Sequence, residues 1–136
     1  MIAADLAYQH ANSGMTLRTW SEQEYQDLLD DPKTIIVQTN AGYAIGTIVC
    51  DVAELLLIIT RPALRRNGHG KNLLSQFENT AKARGGDFVI LEVSEKNLAA
   101  QALYLSTGYT EIGRRSGYYK TQNGDSEDAL VLRKAL

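Results

Sequence analysis

At 136 residues, 44% of them hydrophobic and 22% charged, the chain has the size and composition of one globular domain. One cysteine (Cys50) and two histidines (His10, His69) leave no disulfide framework and argue against a zinc centre, so no metal is expected. A net charge of −2 with no basic stripe among aromatics points away from nucleic acid, and the absence of any long apolar run or signal pattern points away from a membrane and toward the cytoplasm.

The elements follow in order. Ile2, Ala3, Leu6 and Ala7 recur at helical spacing and predict a short helix over residues 2–10, broken by Asn12-Ser13-Gly14. Ser21 and Glu24 match a capping box and start a second helix carrying Tyr25, Leu28 and Leu29, which Asp30-Asp31-Pro32 ends. Residues 34–38 and 43–50 read as a hairpin turning at Asn40-Ala41-Gly42. A third strand over 54–60 is apolar on both faces, as befits the middle of a covered sheet. Leu73, Leu74, Phe77 and Ala81 mark one face of a helix that Gly85-Gly86 stops. Residues 88–93 form another apolar strand, interrupted by Glu92. Asn97 caps a helix over 98–107, ended by Gly108. Residues 109–115 and 128–133 form a last hairpin, whose loop holds Asn123-Gly124. This order predicts a single α/β domain: a mixed, largely antiparallel sheet with helices on both faces and a ligand where neighbouring strands part.

The stretch Arg65-Arg66-Asn67-Gly68-His69-Gly70-Lys71 lies between the third strand and the helix after it. Its glycines let the backbone approach a ligand, the helix start offers unpaired N–H groups, and its cations add positive charge, so the stretch suits a phosphate. It is not a P-loop, because Arg65 holds the first glycine position and Asn72 follows Lys71; it is not a dinucleotide loop, because Leu73 holds the third glycine position. It fits Arg/Gln-x-x-Gly-x-Gly/Ala, the pyrophosphate loop of the GNAT acetyltransferases, and so resembles a coenzyme A site. A basic, glycine-rich turn capping a surface helix is the alternative. Charge is uneven around it: residues 1–60 carry −6 and residues 61–136 carry +4. The acidic part is either complementary to a cationic substrate or a solvated surface.

Three further positions could carry chemistry. Glu92 shares a strand face with Phe88 and Ile90, where burial would raise its pKa toward that of a general base; a strand-end glutamate bonded to an N–H or an arginine is the alternative. Tyr104 lies two turns beyond Asn97 on one stripe of its helix, with Ala100 between them and Leu98, Ala102 and Leu105 on another stripe. The helix is therefore expected to present Asn97, Ala100 and Tyr104 to something other than the main core. A phenol there could protonate a leaving thiolate, or simply pack at the core's rim. Tyr118-Tyr119, expected at the start of the last loop, could line a groove or pack a turn.

Taken together, residues 53–59, the glycine loop, Leu91-Glu92-Val93, Asn97-x-x-Ala100-x-Ala102-Leu103-Tyr104, Thr107-Gly108-Tyr109, Arg115-x-x-Tyr118-Tyr119 and Glu127-Asp128-Ala129 resemble the ribosomal-protein alanine N-acetyltransferases. Trp20-Ser21-Glu22 and Tyr25 extend the resemblance, which covers about residues 18–132. It implies a GNAT fold of about six strands, the family's first strand being absent from the expected order. It also implies transfer of acetyl from acetyl-CoA to the N-terminal α-amine of a protein. By the same resemblance Glu92 matches the general base and Tyr104 the general acid. The main chain of Ile58, Ile59 and Thr60 would pair with the pantetheine arm. Arg65, Arg66, Asn67, Gly68, His69, Gly70 and Lys71 would hold the pyrophosphate, Asn97 would bond near the thioester, and Tyr118 and Tyr119 would line the peptide groove. His69 and Arg61 depart from the family, standing where small or apolar and acidic residues are common. Acetylation of a lysine or small amine, and a CoA-binding module without turnover, are the competing readings.

Overall fold

Hydrophobic patterning becomes two helical layers on one sheet in the computed structural model, which describes residues 2–15, 17–121 and 123–136. Helices α1 (Ile2–Ala11) and α2 (Glu22–Asp30) come first. Strands β1 (Thr34–Thr39), β2 (Gly42–Val49) and β3 (Val52–Thr60) follow, then α3 (His69–Ala83), β4 (Phe88–Ser94), α4 (Leu98–Ser106), β5 (Thr110–Lys120) and β6 (Ser126–Ala135). The expected capping box is present: Glu24 N donates to Ser21 Oγ, and Ser21 N donates to Glu24 Oε1. The strand order is β1-β2-β3-β4-β6-β5, antiparallel except for the β3–β4 pair. These six strands match the expected number.

A bulge in β3 divides the core in two. Ile45 pairs with Leu57, but the next residue of β2, Gly46, pairs with Leu55, so Leu56 is an extra residue. Side chains alternate faces along a strand, so the extra residue reverses the alternation. Leu55 therefore packs with Leu73, Leu74 and Phe77 of α3, while Leu57 and Ile59 pack with Leu6 of α1 and Tyr25 of α2. The strand is apolar on both faces because each half of it faces a different helical layer.

The same strand opens the sheet. β3 and β4 pair only from Val52↔Phe88 to Leu55↔Leu91. Beyond that point residues 56–60 and 92–94 run on without pairing to each other. The main chain of β3 facing β4 is left exposed at the mouth of the split. This is the parting of strands that the sequence order predicts.

Helix α4 reverses one expectation. Tyr104 is the buried residue of this helix and belongs to the core cluster with Leu91, Val93 and Tyr109. Leu98 and Leu105 are exposed instead, at 71% and 55%. The stripe of Asn97, Ala100 and Tyr104 thus faces the core and the split. Apolar residues occur all round α4, so leucine positions do not identify its inner face.

The final hairpin is longer than expected. β5 continues through Gly117, whose φ of 58° fits the register irregularity between Arg115 and Tyr119. Tyr118 and Tyr119 consequently lie on the strand, not in the loop.

Candidate active site

Two cavities meet in the split, one of about 840 Å³ and one of about 480 Å³. The larger reaches from the open end of β3 over the glycine loop to α4, and the smaller runs over Glu92, Tyr118 and Tyr119. Tyr104, Asn97, Ala100, Ser94 and Ile58 line both.

The loop is shaped by backbone conformations that differ from helix and strand. Arg66 and Gly68 have φ of 66° and 79°, and Gly68 is the N-cap of α3. Asn72 N donates to Gly68 O at 3.1 Å, leaving the N–H groups of His69, Gly70 and Lys71 without helical acceptors. They point their partial positive charge at the larger cavity, which Arg66, Gly68, His69, Gly70 and Lys71 line. Asn67 has a different place: its Nδ2 donates to Leu64 O at 3.3 Å and Arg65 O at 3.2 Å, bracing the loop. Arg65 lines the cavity, but its guanidinium donates to Thr60 O from Nε at 3.3 Å and to Ser13 O from Nη2. It ties the loop to the segment that follows α1.

That segment was not singled out as part of the site by sequence. Met15 and Leu17 line both cavities, and Leu17 bridges to Thr121 beyond β5. Ser13 Oγ donates to His10 O at 2.7 Å, and Trp20 N donates to His10 Nδ1 at 3.1 Å. His10 is 2% exposed and also hydrogen-bonds Tyr25 Oη at 3.0 Å; Tyr25 bonds Tyr43, whose hydroxyl donates to Leu6 O at 3.1 Å. Burial, and secondarily the charge of Arg18, push the His10 pKa down to about 4, with Glu24 opposing. The α1–α2 connection is thus anchored by a neutral imidazole.

Glu92 lies in the smaller cavity with 13% of its side chain exposed, 3.3 Å from Arg115 Nε. The carboxylate thus lies in the cleft and has the arginine partner of the second alternative. Tyr104 is 8% exposed, packs edge-on to Tyr109 at 5.7 Å, and its hydroxyl has no hydrogen-bond partner among the described residues. Burial pushes its phenol above the usual value of 10, so it keeps its proton at neutral pH. Asn97 Oδ1 accepts from Ala100 N at 3.1 Å as a helix cap, and its Nδ2 remains available toward the cavities. Arg115 lies 5.1 Å from the Tyr118 ring, which packs edge-on against Tyr119. Burial first, and then the Glu92 charge, push the Tyr119 phenol up.

Two more carboxylates lie nearby, one close to Glu92 and one on the larger cavity. Glu54 of β3 is raised by burial first and then by the charge of Glu92, with Arg115 opposing. It pairs across from Ile90, two residues from Glu92, a closeness that depends on the parallel register and not on sequence distance. Glu127 of β6 is 8% exposed and lines the larger cavity. None of the acidic residues of 1–60, Glu54 included, lines either cavity, whereas Arg18 and Lys120 do line the smaller one.

The sequence matches the model of the acetyltransferase (GNAT) family over residues 5–109. It is 36% identical over 91 residues to the [ribosomal protein bS18]-alanine N-acetyltransferase of Haemophilus ducreyi, a match covering 67% of this chain and 63% of that protein. Over 92 residues it is 39% identical to the enzyme of the same name from Escherichia coli strain K12, covering 68% and 62%. The matched segments therefore span less than two thirds of these relatives. The crystal structure of the ribosomal-protein-S18-alanine N-acetyltransferase from Escherichia coli superposes with a TM-score of 0.84 at 30% identity, covering 98% of this chain and 86% of that one. The match of the family model across the β3–β4 split, the glycine loop and α4 establishes that this chain belongs to the GNAT acetyltransferase family.

Proposed function

We propose that this protein transfers acetyl from acetyl-CoA to the N-terminal α-amine of a protein, alanine being the terminal residue and a bS18-type ribosomal protein the acceptor. The observation that carries this reading is the meeting of two cavities at Tyr104, one on the phosphate loop and one on Glu92. A long phosphate-bearing thioester suits the first, and a chain terminus entering between Tyr118 and Trp20 suits the second. The names of the relatives supply the acceptor.

The chemistry follows from the residues at the junction. His69, Gly70 and Lys71 offer main-chain donors to the pyrophosphate, and the exposed β3 edge offers Ile58, Ile59 and Thr60 to the pantetheine amides. Glu92 takes a proton from the α-ammonium, directly or through a water. The neutral nitrogen then attacks the thioester carbonyl, a C–N bond forms and the C–S bond breaks. The nitrogen then gives up its second proton; Tyr104 protonates the departing thiolate and is reprotonated by that proton through solvent, while Glu92 releases its own to solvent. An α-amine suits a single carboxylate base. With a reference pKa near 7.7–8.0 it is roughly one-tenth neutral at pH 7, against well under 0.1% for a lysine near 10.4.

The test is thiol release and product mass with acetyl-CoA and two peptides. One has a free N-terminal alanine; the other has a blocked N-terminus and a free lysine. Acetylation of the first alone is expected, and equal reaction of both overturns the α-amine assignment.

A further inference from the structure

Glu127 is a buried carboxylate that has no cation among the described residues. It lines the larger cavity, and among the described residues its side chain has one hydrogen bond, from Ser94, whose Oγ donates to Oε1. No lysine, arginine or histidine among the described residues forms an ion pair with it. Its neighbours differ: Glu92 has Arg115, and Asp128 has Arg114 at 3.0 Å. Removing a carboxylate from water without a partner of opposite charge is costly, so such groups are normally paired or functional.

Ser94 places that charge at the junction. It is 5% exposed and lines both cavities. Its proton is committed to Glu127, and Lys96 N donates to its Oγ at 3.2 Å. A hydroxyl oxygen has two acceptor positions, so one remains. Ladder partners share a face of the sheet, which puts Ser94 (opposite Ala129), Glu92 (opposite Val131) and Glu127 (opposite Tyr119) on the same side.

We propose that Ser94 and Glu127 form a positioning pair for the acceptor amine: Ser94 Oγ accepts an N–H of the incoming ammonium, and Glu127 supplies the negative charge behind it. This rests on the proposed function in needing an amine acceptor. The pair holds the nitrogen at the junction while Glu92 takes its proton. No bond is made or broken at Ser94 or Glu127.

The experiment compares wild type with Ser94→Ala, Ser94→Thr, Glu127→Gln and the double variant Ser94→Ala/Glu127→Gln. Peptide KM and kcat, acetyl-CoA Kd by calorimetry, and Tm are measured for each. Ser94→Ala and Glu127→Gln are expected to raise KM for the alanine peptide about tenfold, with kcat and acetyl-CoA Kd nearly unchanged. Ser94→Thr, which retains the hydroxyl, should stay near the wild-type KM. The double variant should be no worse than the worse single one, because the two residues act as one unit. The proposal is overturned if folded Ser94→Ala keeps the wild-type KM, if acetyl-CoA Kd weakens in step with KM, or if the two effects multiply. A wild type that acetylates only another amine overturns the proposed function, and the same comparison is then made with that amine. If no amine is acetylated, peptide binding itself is measured, and unchanged affinity in Ser94→Ala overturns the pair.

Discussion

Tyr104 and Gly70 show how single residues divide the work of the site. Tyr104 is held by the core on one side and open to both cavities on the other, with a hydroxyl that spends no hydrogen bond on the described residues. Tyr104→Phe keeps the ring and its packing against Tyr109. It should lower kcat by roughly 10²–10⁴-fold, the usual range for a positioned acid, while acetyl-CoA Kd stays nearly unchanged. A steady-state comparison with calorimetry checks it, and an unchanged kcat returns Tyr104 to a packing role. Gly70 needs no unusual φ, and an added Cβ would meet only Leu103 at 3.5 Å and Thr60 at 3.9 Å. The protein therefore tolerates a side chain there, and the ligand is what would not. Gly70→Asp should leave the unliganded Tm close to wild type and abolish the Tm increase caused by acetyl-CoA. Retention of that increase would place the phosphates elsewhere.

At the scale of elements, what could be read in the sequence depended on contrast between neighbouring residues. α3 was legible because its apolar residues alternate with Gln76, Asn79 and Lys82. The α2 start was legible because a capping box has a fixed spacing. The face of α4 was not, since leucine and alanine occur on every side of it and burial is decided by what packs there. The β3 bulge was hidden for the same reason: 55–59 is apolar throughout, so an extra residue changes no pattern. Glu54 comes near Glu92, and Glu127 reaches the larger cavity, through strand register, which single-strand patterns do not encode. The bulge makes its own demand on β2. A Cβ at Gly46 would lie 2.1 Å from Glu54 O and 2.6 Å from the Phe77 ring. Gly46→Ala must therefore push β3 or α3 away from β2, at a cost of about 1–3 kcal/mol or more. Urea unfolding should show that loss; a variant as stable as wild type would mean that the ring and strand do not approach this closely.

For the whole molecule, the α1–α2 layer makes stability depend on pH. His10 joins α1 to Trp20 at the entrance to α2, to Tyr25 on α2 and, through Tyr25, to Tyr43 on β2. Trp20 N–H points at His10 Nδ1, so that nitrogen must carry a lone pair, and a proton there would set two donors against each other. The folded pKa of about 4 lies below the ordinary histidine value of 6.5, so between these pH values the unfolded chain binds the proton and the native one does not. Stability then rises with pH across this window. The contribution is complete above about 6.5, is lost as pH falls toward 4, and changes no further below that. At 1.36 kcal/mol per unit it is on the order of 3 kcal/mol. Glu24 adds a separate loss at lower pH, where hydrogen bonds, first from Arg18 and then from Ser21, hold it down to about 2 from 4.5. That pair is exposed and contributes little. Urea unfolding of wild type and His10→Asn between pH 7 and 4 separates the two effects, since asparagine offers an acceptor but cannot take up the proton. The wild-type curve should fall by a few kcal/mol across the window, and that of His10→Asn should fall distinctly less, even if it starts lower. Parallel curves would show that the acid sensitivity of the fold lies in other groups and that His10 is not its source.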